Sequence, residues 1–315
     1  MCRVVARAFM PPMRQTTLTP LSSALMGLLS LIWGASFLAN RAALTEVGVL
    51  TTVAIRVGGA ALLMWAWVVF RRLPVPPLSR LVPAGLMMGL LNNALPFTLI
   101  VWGQTRIESG LAAILNGSTA IFGVLVAALV FGDERLTRRK AAGVVLGFAG
   151  VATAIGLDHL RSFDPRALGQ LAVLGATLSY ALAAAFGRGA FAGMRPEVAA
   201  AAMLTGASVP MLPLALIVEG RPTLAYGPSV WAALIYLAAA ASALAYLLYY
   251  RILALAGAGN LLLVTLLVAP VALILGALVY GEALPWRAYA GFAILALGLL
   301  VLDGRVPGLR RAESA

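Results

Sequence analysis

From Leu21 onward the chain is written in long apolar runs with little polar punctuation. A run of about 20 mostly apolar residues is long enough for a helix to cross a bilayer. Ten such runs follow one another, over residues 22–43, 49–70, 80–104, 108–131, 138–157, 167–187, 197–218, 228–250, 259–280 and 285–303. The connections are short. The longest polar one, DHLRSFDPR at 158–166, falls near the middle of the chain. The pattern predicts an all-α integral membrane protein with ten transmembrane helices. Arg3, Arg7 and Arg14 precede the first run, and no small-residue cleavage site closes a short apolar segment. Residues 1–20 are therefore expected to be a basic tail rather than a signal peptide.

The runs repeat. With Gly110 set over Gly259, the next shared glycines, Gly132 and Gly281, both lie 22 residues later. Ala128-Leu129-Val130 then lies over Ala277-Leu278-Val279, Gly143 over Gly291 and Gly150 over Gly298. Upstream, NALPF at 93–97 lies over SALAY at 242–246, and WGASFLANR at 33–41 over YALAAAFGR at 180–188. The expected organisation is a five-helix unit over 21–157, a linker at 158–166, a second five-helix unit over 167–303 and a short tail at 304–315. Five is odd, so the second copy enters the membrane in the opposite sense. That is an inverted-topology repeat, the layout in which secondary carriers place a substrate site near the midplane between halves and expose it alternately to the two sides.

Composition strengthens the membrane reading. Hydrophobic residues make up 62% of the chain and charged residues 11%, against about 45–50% and about 25% in a soluble domain. The formal net charge of +12 reads as topology and not as a nucleic-acid footprint, because basic residues of membrane proteins collect in cytoplasmic loops. With the N-terminus inside, sixteen Arg and Lys fall on the inner segments and six on the outer ones. Both termini are thus expected in the cytoplasm, in a multi-pass protein of the inner (plasma) membrane. Cys2 is the sole cysteine and His159 the sole histidine, which leaves no disulfide framework and no Cys- or His-based metal site. No GxxxxGK[ST] loop, paired carboxylates or nucleophile triad is present, so neither ATP-driven pumping nor enzymatic chemistry is expected. The expected partners are lipid and a small-molecule substrate, with no cofactor, the protein acting as monomer or homodimer.

Polar residues inside the runs are the candidate site. Arg56 lies seven residues into the second run. A charge there is functional by default, and a guanidinium suits a substrate carboxylate or phosphate. Asn92 and Asn93 in the third run and Asn116, Ser118 and Thr119 in the fourth must find partners in lipid, either across helices or in a polar cavity. Trp33 and its repeat equivalent Tyr180 lie near mid-depth and are expected to face the cavity, with Trp102, Tyr246, Tyr249 and Tyr250 as further aromatic candidates. Arg41 and Arg188, also repeat equivalents, end the first helix of each copy and are candidate gate residues. Gly85/Gly89 and Gly143/Gly147 read as close helix packing. Glu108, Glu134 and Glu282 lie at helix ends, so no proton carrier is visible inside a span.

WGASFLANRAAL in the first run, Arg56 in the second and the Gly-Glu turn closing the fourth and ninth runs together resemble the EamA-type family of the drug/metabolite transporter superfamily. The resemblance covers nearly the whole chain beyond the first 20 residues. It implies a ten-helix inner-membrane carrier, often an exporter of amino acids or other small metabolites. The family commonly has Lys where Arg41 stands, and the first copy reads Gly-Asp-Glu where the second reads Gly-Glu. The reading reached is a secondary, non-ATP carrier exporting small polar metabolites such as amino acids. A carrier of larger anions, such as nucleotide-linked sugars or organic phosphates, is the first alternative and a non-transporting membrane scaffold the second.

Overall fold

A computed structural model describes residues 19–131, 136–156 and 165–304, without the side chains of Pro165, Arg188, Ala258, Gly259 and Leu262. The basic tail with Cys2, Glu134, most of the 158–166 linker with His159, and the C-terminal tail from 305 lie outside the described residues.

Among the described residues all regular structure is helical. The helices are α1 (Pro20–Ala43), α2 (Val49–Phe70), α3 (Leu78–Gln104), α4 (Ser109–Val130), α5 (Arg138–Ile155), α6 (Pro165–Ala190), α7 (Pro196–Val218), α8 (Pro228–Gly257), α9 (Leu263–Tyr280) and α10 (Trp286–Leu302). Eight of them are long and apolar enough to cross a membrane. The other two are α10, apolar but only 17 residues long, and α5, which opens on Arg138, Arg139 and Lys140. Three bases at a helix N-terminus oppose the helix dipole. Their presence there is explained by membrane topology better than by helix stability.

Starts and stops follow local chemistry. Thr19 caps α1 through Ser22 in a reciprocal box, and the Thr137 hydroxyl accepts from the Lys140 backbone N–H at the start of α5. Proline stands in the first turn of α1, α7 and α8, where its missing N–H costs nothing. The eighth run was expected to end at 250. The helix instead continues through RILALA, putting Arg251 on a helix, because nothing in that stretch breaks it until Gly257. Gly257 has φ 77° and ψ 167°, a conformation open to glycine, and it separates α8 from α9.

The burial pattern is that of a protein dissolved in lipid. Large apolar side chains face outward, as Leu129 (86% exposed), Leu278 (78%) and Phe70 (77%) do. Polar side chains turn inward: Asn40, Thr52, Arg56, Asn93, Gln104, Gln170 and Asn260 are all buried. Lipid offers no hydrogen bonds, so such groups must meet one another.

The two halves of the chain pack extensively on each other. α2 lies along α7, α1 along α9, α5 along α10, and α3 against α6 and α7, while α8 packs on α1 and α2. Small residues let backbones meet. A Cβ on Gly206 of α7 would sit 2.0 Å from the Gly85 carbonyl oxygen of α3, and one on Gly89 2.4 Å from the Ala207 nitrogen. Gly150 and Gly291 make the same approach between α5 and α10. The expected Gly85/Gly89 and Gly143/Gly147 pairs are therefore packing positions. Replacing Gly206 with Leu should destabilise the protein by about 1–3 kcal/mol through forced separation of α3 and α7. Thermal melts in detergent test this, with Gly123→Leu as the control, since a Cβ there meets nothing within 4 Å.

Candidate functional site

Two helices change character midway. α3 runs as a π-helix over Leu90–Ala94, and α8 does so over Tyr236–Leu244. A π segment bonds i to i+5, widens the helix and leaves carbonyls without a helical donor; such segments recur at functional sites. In α3 the cause is readable. In the π register the donor to the Leu91 carbonyl would be residue 96, which is proline and has no N–H. Leu91 O accepts instead from the Ser179 hydroxyl of α6 at 2.6 Å. In α8 the Ala245 N–H reaches back to Ala240 O, and Ala241 O accepts from Trp33 Nε1 of α1 at 3.3 Å. Each π segment is thus bonded by the first helix of the opposite half.

The π segments end in the two stretches that the repeat aligns, NALPF and SALAY, and these meet across the halves. Tyr246 donates to Asn93 Oδ1 at 2.6 Å and accepts from Asn92 Nδ2 at 3.1 Å. The aligned partners, Phe97 and Ser242, are joined through Arg56. Its Nε donates to Ser242 Oγ at 3.0 Å, and its guanidinium carbon sits 3.8 Å from the Phe97 ring centroid, a cation–π geometry. Asn93 and Phe97 are one turn apart on α3, as Ser242 and Tyr246 are on α8, so Arg56 and Asn93 share one small volume. Tyr180, Tyr236 and Tyr246 lie within electrostatic reach of Arg56.

This volume is rich in donors and poor in acceptors. Arg56 is only 6% exposed, and among the described residues no carboxylate pairs with it. Asn93 is fully buried, and its Nδ2 has no partner. The charge lies on one wing only. Met203, seven residues into α7 as Arg56 is seven into α2, stands in the corresponding place and contacts Asn92 Nδ2 through its sulfur at 3.3 Å. A centre with a fixed positive charge, an open amide donor and aromatic walls is suited to holding an anionic group.

The remaining expected residues are distributed elsewhere. Trp33 lies 6.0 Å from Tyr249 and belongs to the α8 wall through its bond to Ala241. Tyr180 packs beside the centre. Asn116 and Thr119 flank a break in α4. Thr119 Oγ1 bonds the Asn116 carbonyl at 2.8 Å, Asn116 Oδ1 is buried without a partner, and Ser118 meets Thr177 of α6 at 3.1 Å. None of these described contacts reaches Arg56. Arg41 sits at the end of the bundle, ion-paired with Glu282 and 4.5 Å from the Tyr280 ring. Arg188 lies in α6, with its side chain outside the described residues. An apolar crevice of about 190 Å³ lies apart from this centre, between α4, α5, α9 and α10, lined by Ala120, Val124, Leu263 and Leu266 among others. Phe97, Tyr236 and Ser242 were not singled out from sequence. The NALPF/SALAY alignment marks the place of Phe97 and Ser242, yet a serine or phenylalanine in an apolar helix is ordinary, and Tyr236 lies outside both stretches.

The family model of the EamA-like transporter family matches this chain twice, over residues 21–156 and 167–302. The chain belongs to the EamA-like transporter family. It is a multi-pass membrane transporter and not an enzyme. The curated relatives it is similar to include "Protein PagO" of Salmonella typhimurium, 25% identical over 89% of this chain and 91% of that protein. A "Probable amino-acid metabolite efflux pump" of Escherichia coli is 26% identical over 90% of this chain and 94% of its own length. A "Probable terminal-alkyne amino-acid exporter" of Streptantibioticus cattleyicolor is 28% identical over 90% and 93%. A crystal structure with 22% identity superposes with a TM-score of 0.64 over 93% of this chain and 99% of that one, which establishes the fold alone.

In this EamA-like transporter the Tyr246 hydroxyl serves two amides, the buried Asn93 and the half-buried Asn92. Tyr246→Phe leaves both without that partner and should lower stability by about 1–3 kcal/mol. Thermal unfolding in detergent measures it. Tyr250→Phe, for which no hydroxyl partner is described, should move the melt little.

Proposed function

We propose that this chain is a secondary carrier of the bacterial inner membrane that exports small carboxylate-bearing metabolites, amino acids among them, by alternating access. In this reading all ten helices cross the bilayer and the units 21–157 and 167–303 are inverted copies. Both termini face the cytoplasm, as the sixteen-to-six division of basic residues favours. The equivalence of the halves is supported by packing: α3 of the first rests on α6 and α7 of the second, and α8 of the second on α1 and α2 of the first. It is also supported by π segments at aligned positions. One chain carries both halves, so a monomer suffices.

The observation that carries the substrate reading is Arg56, buried at the centre without a carboxylate and beside the free Asn93 amide. A substrate carboxylate would accept from both, with Trp33, Tyr180, Asn92, Asn116 and Thr119 shaping the route around it. The names of the Escherichia coli and Streptantibioticus cattleyicolor relatives support an amino-acid-like substrate. The larger-anion alternative calls for a second arginine at the centre, and Arg41 is engaged with Glu282 at the bundle end. Arg41 and Arg188 fit instead as gate residues at opposite ends.

The test is counterflow in proteoliposomes with pooled amino acids, nucleosides and organic phosphates, with and without a pH gradient. Uptake of the amino-acid pool is expected, with amide analogues of the same compounds transported poorly. Arg56→Ala should lower uptake about 10–100-fold, the equivalent of one lost charge-assisted hydrogen bond of about 1.5–3 kcal/mol. Unchanged uptake by a folded Arg56→Ala protein would make Arg56 structural, and uptake confined to organic phosphates would favour the larger-anion carrier.

A further inference from the structure

At one end of the bundle, helices of one half are capped by carboxylates of the other. Glu46, in the α1–α2 connection, accepts from the Gly227 N–H at the start of α8 at 2.8 Å. Glu219, just beyond α7, accepts from Leu50 N at 2.9 Å and Thr51 N at 2.8 Å in the first turn of α2. Glu282, beyond α9, accepts from Ser109 N and Gly110 N of α4, both at 3.1 Å, and pairs with Arg41. Each of α2, α4 and α8 lacks a capping bond from its own N-cap side chain. In two of the three that residue is glycine, and the foreign carboxylate occupies the space a side chain would need. A Cβ on Gly48 would lie 2.2 Å from Glu219 Oε2, and one on Gly227 2.9 Å from Glu46 Oε1. A fourth carboxylate, Glu108, pairs with Arg166 at the same end.

The opposite end is built differently. The described side-chain caps there are local: Thr19 for α1 and Thr137 for α5. Among the described contacts there, Arg80 of one half bonds the Ala192 carbonyl of the other, and Arg139 of α5 lies against Gly304 beyond α10. A local cap survives any movement of one half against the other. A cap supplied by the opposite half breaks as soon as the halves part at that end. The freed carboxylates and helix N-termini would then be hydrated, so the contact is strong when dry and cheap to give up when water enters, as a gate opened once per cycle requires.

We infer that Glu46, Glu219 and Glu282 form a three-point clamp whose closure seals this end of the carrier and whose release opens it. The inference rests on the alternating-access reading above. By the charge distribution the clamped end is the outer one. The clamp does not contact the Arg56 centre; its carboxylates act on the helices that carry the walls.

The experiment uses the full chain in nanodiscs, with Cys2→Ser and spin labels at Thr45 and Thr223, exposed residues of opposite halves at the clamped end. A second pair at Val75 and Ala192, also exposed, reports on the other end. Glu46→Ala and Glu219→Ala, alone and together, should shift the Thr45–Thr223 distance distribution to longer values without lengthening Val75–Ala192. Unchanged distances at the clamped end, or broadening of both pairs with a lowered melting temperature, would overturn the clamp. A second measurement fixes it shut. Glu46→Cys with Gly227→Cys in the Cys2→Ser background, bridged by a short bis-methanethiosulfonate through two mixed disulfides, should stop amino-acid counterflow, and reductant should cleave the disulfides and restore it; continued counterflow while cross-linked also overturns the clamp. The distance measurements need no substrate. A response there without transport of any pool would leave the clamp standing and defeat the carrier reading, whereas transport with unresponsive distances would do the reverse.

Discussion

A guanidinium buried about a third of the way along an apolar helix, with no carboxylate described beside it, sets the terms for everything around it. Charge at the centre of a bilayer costs about 2.5–3.5 kcal/mol on insertion scales, and Arg56 is too deeply buried to reach water by extending. It is held by what a neutral interior can offer: the face of Phe97, the hydroxyl of Ser242 and nearby phenols. Each of these is a dipole or a quadrupole, and none neutralises the charge. A carboxylate supplied by the protein would have been a stronger partner, but it would have left nothing for an incoming anion. In the proposed reading, that imbalance leaves the centre open to an anionic substrate.

The π segments follow from the same requirement. Bringing Asn93 and Phe97 of α3 against Ser242 and Tyr246 of α8 requires two helices to turn polar positions toward each other at one level. An α-helix of regular pitch carries each side chain about 100° past the last. Inserting one residue per turn changes that phase and frees a carbonyl. Ser179 and Trp33, on the first helix of each half, take the freed carbonyls of Leu91 and Ala241. The backbones of α3 and α8 are thus tied to α6 and α1, so that a change in tilt of α1 or α6 would be felt directly at the backbone of α8 or α3.

The helices were legible because apolar run length is a property of single segments. Arg56 stood out as a candidate, since a charge in an apolar run needs a reason, and the structure buries it beside Phe97 and Ser242. The alignment of NALPF with SALAY marked the two stretches that meet. Their meeting involved residues with no distinguishing chemistry of their own, and Ser242 and Phe97 acquire roles only because Arg56 reaches them from a third helix. The π geometry was hidden for a similar reason. Pro96 announced a disturbance in α3, but α8 has only a run of alanines, whose widening is imposed by its neighbours. Asn116 and Thr119 were chosen on polarity alone, and polarity does not separate a residue at the centre from one at a break in α4. Arg41 illustrates the limit of single-residue reasoning: its ion-pair partner, Glu282, lies more than two hundred residues away.

The distribution of acids completes the argument. At the clamped end Glu46, Glu219 and Glu282 reach helix N-termini of the opposite half, whereas at the other end Glu197 lies in the first turn of its own helix, α7, paired with the neighbouring Arg195. Among the described contacts, carboxylates of the opposite half cap helices at one end, while the side-chain caps at the other end are the local hydroxyls of Thr19 and Thr137. Two halves of similar sequence can therefore close the two ends with different chemistry and different strength. Under the clamp proposal, unequal contacts at the two ends bias the resting population toward the state closed at the clamped end, while the direction of net transport is set by the solute and ion gradients.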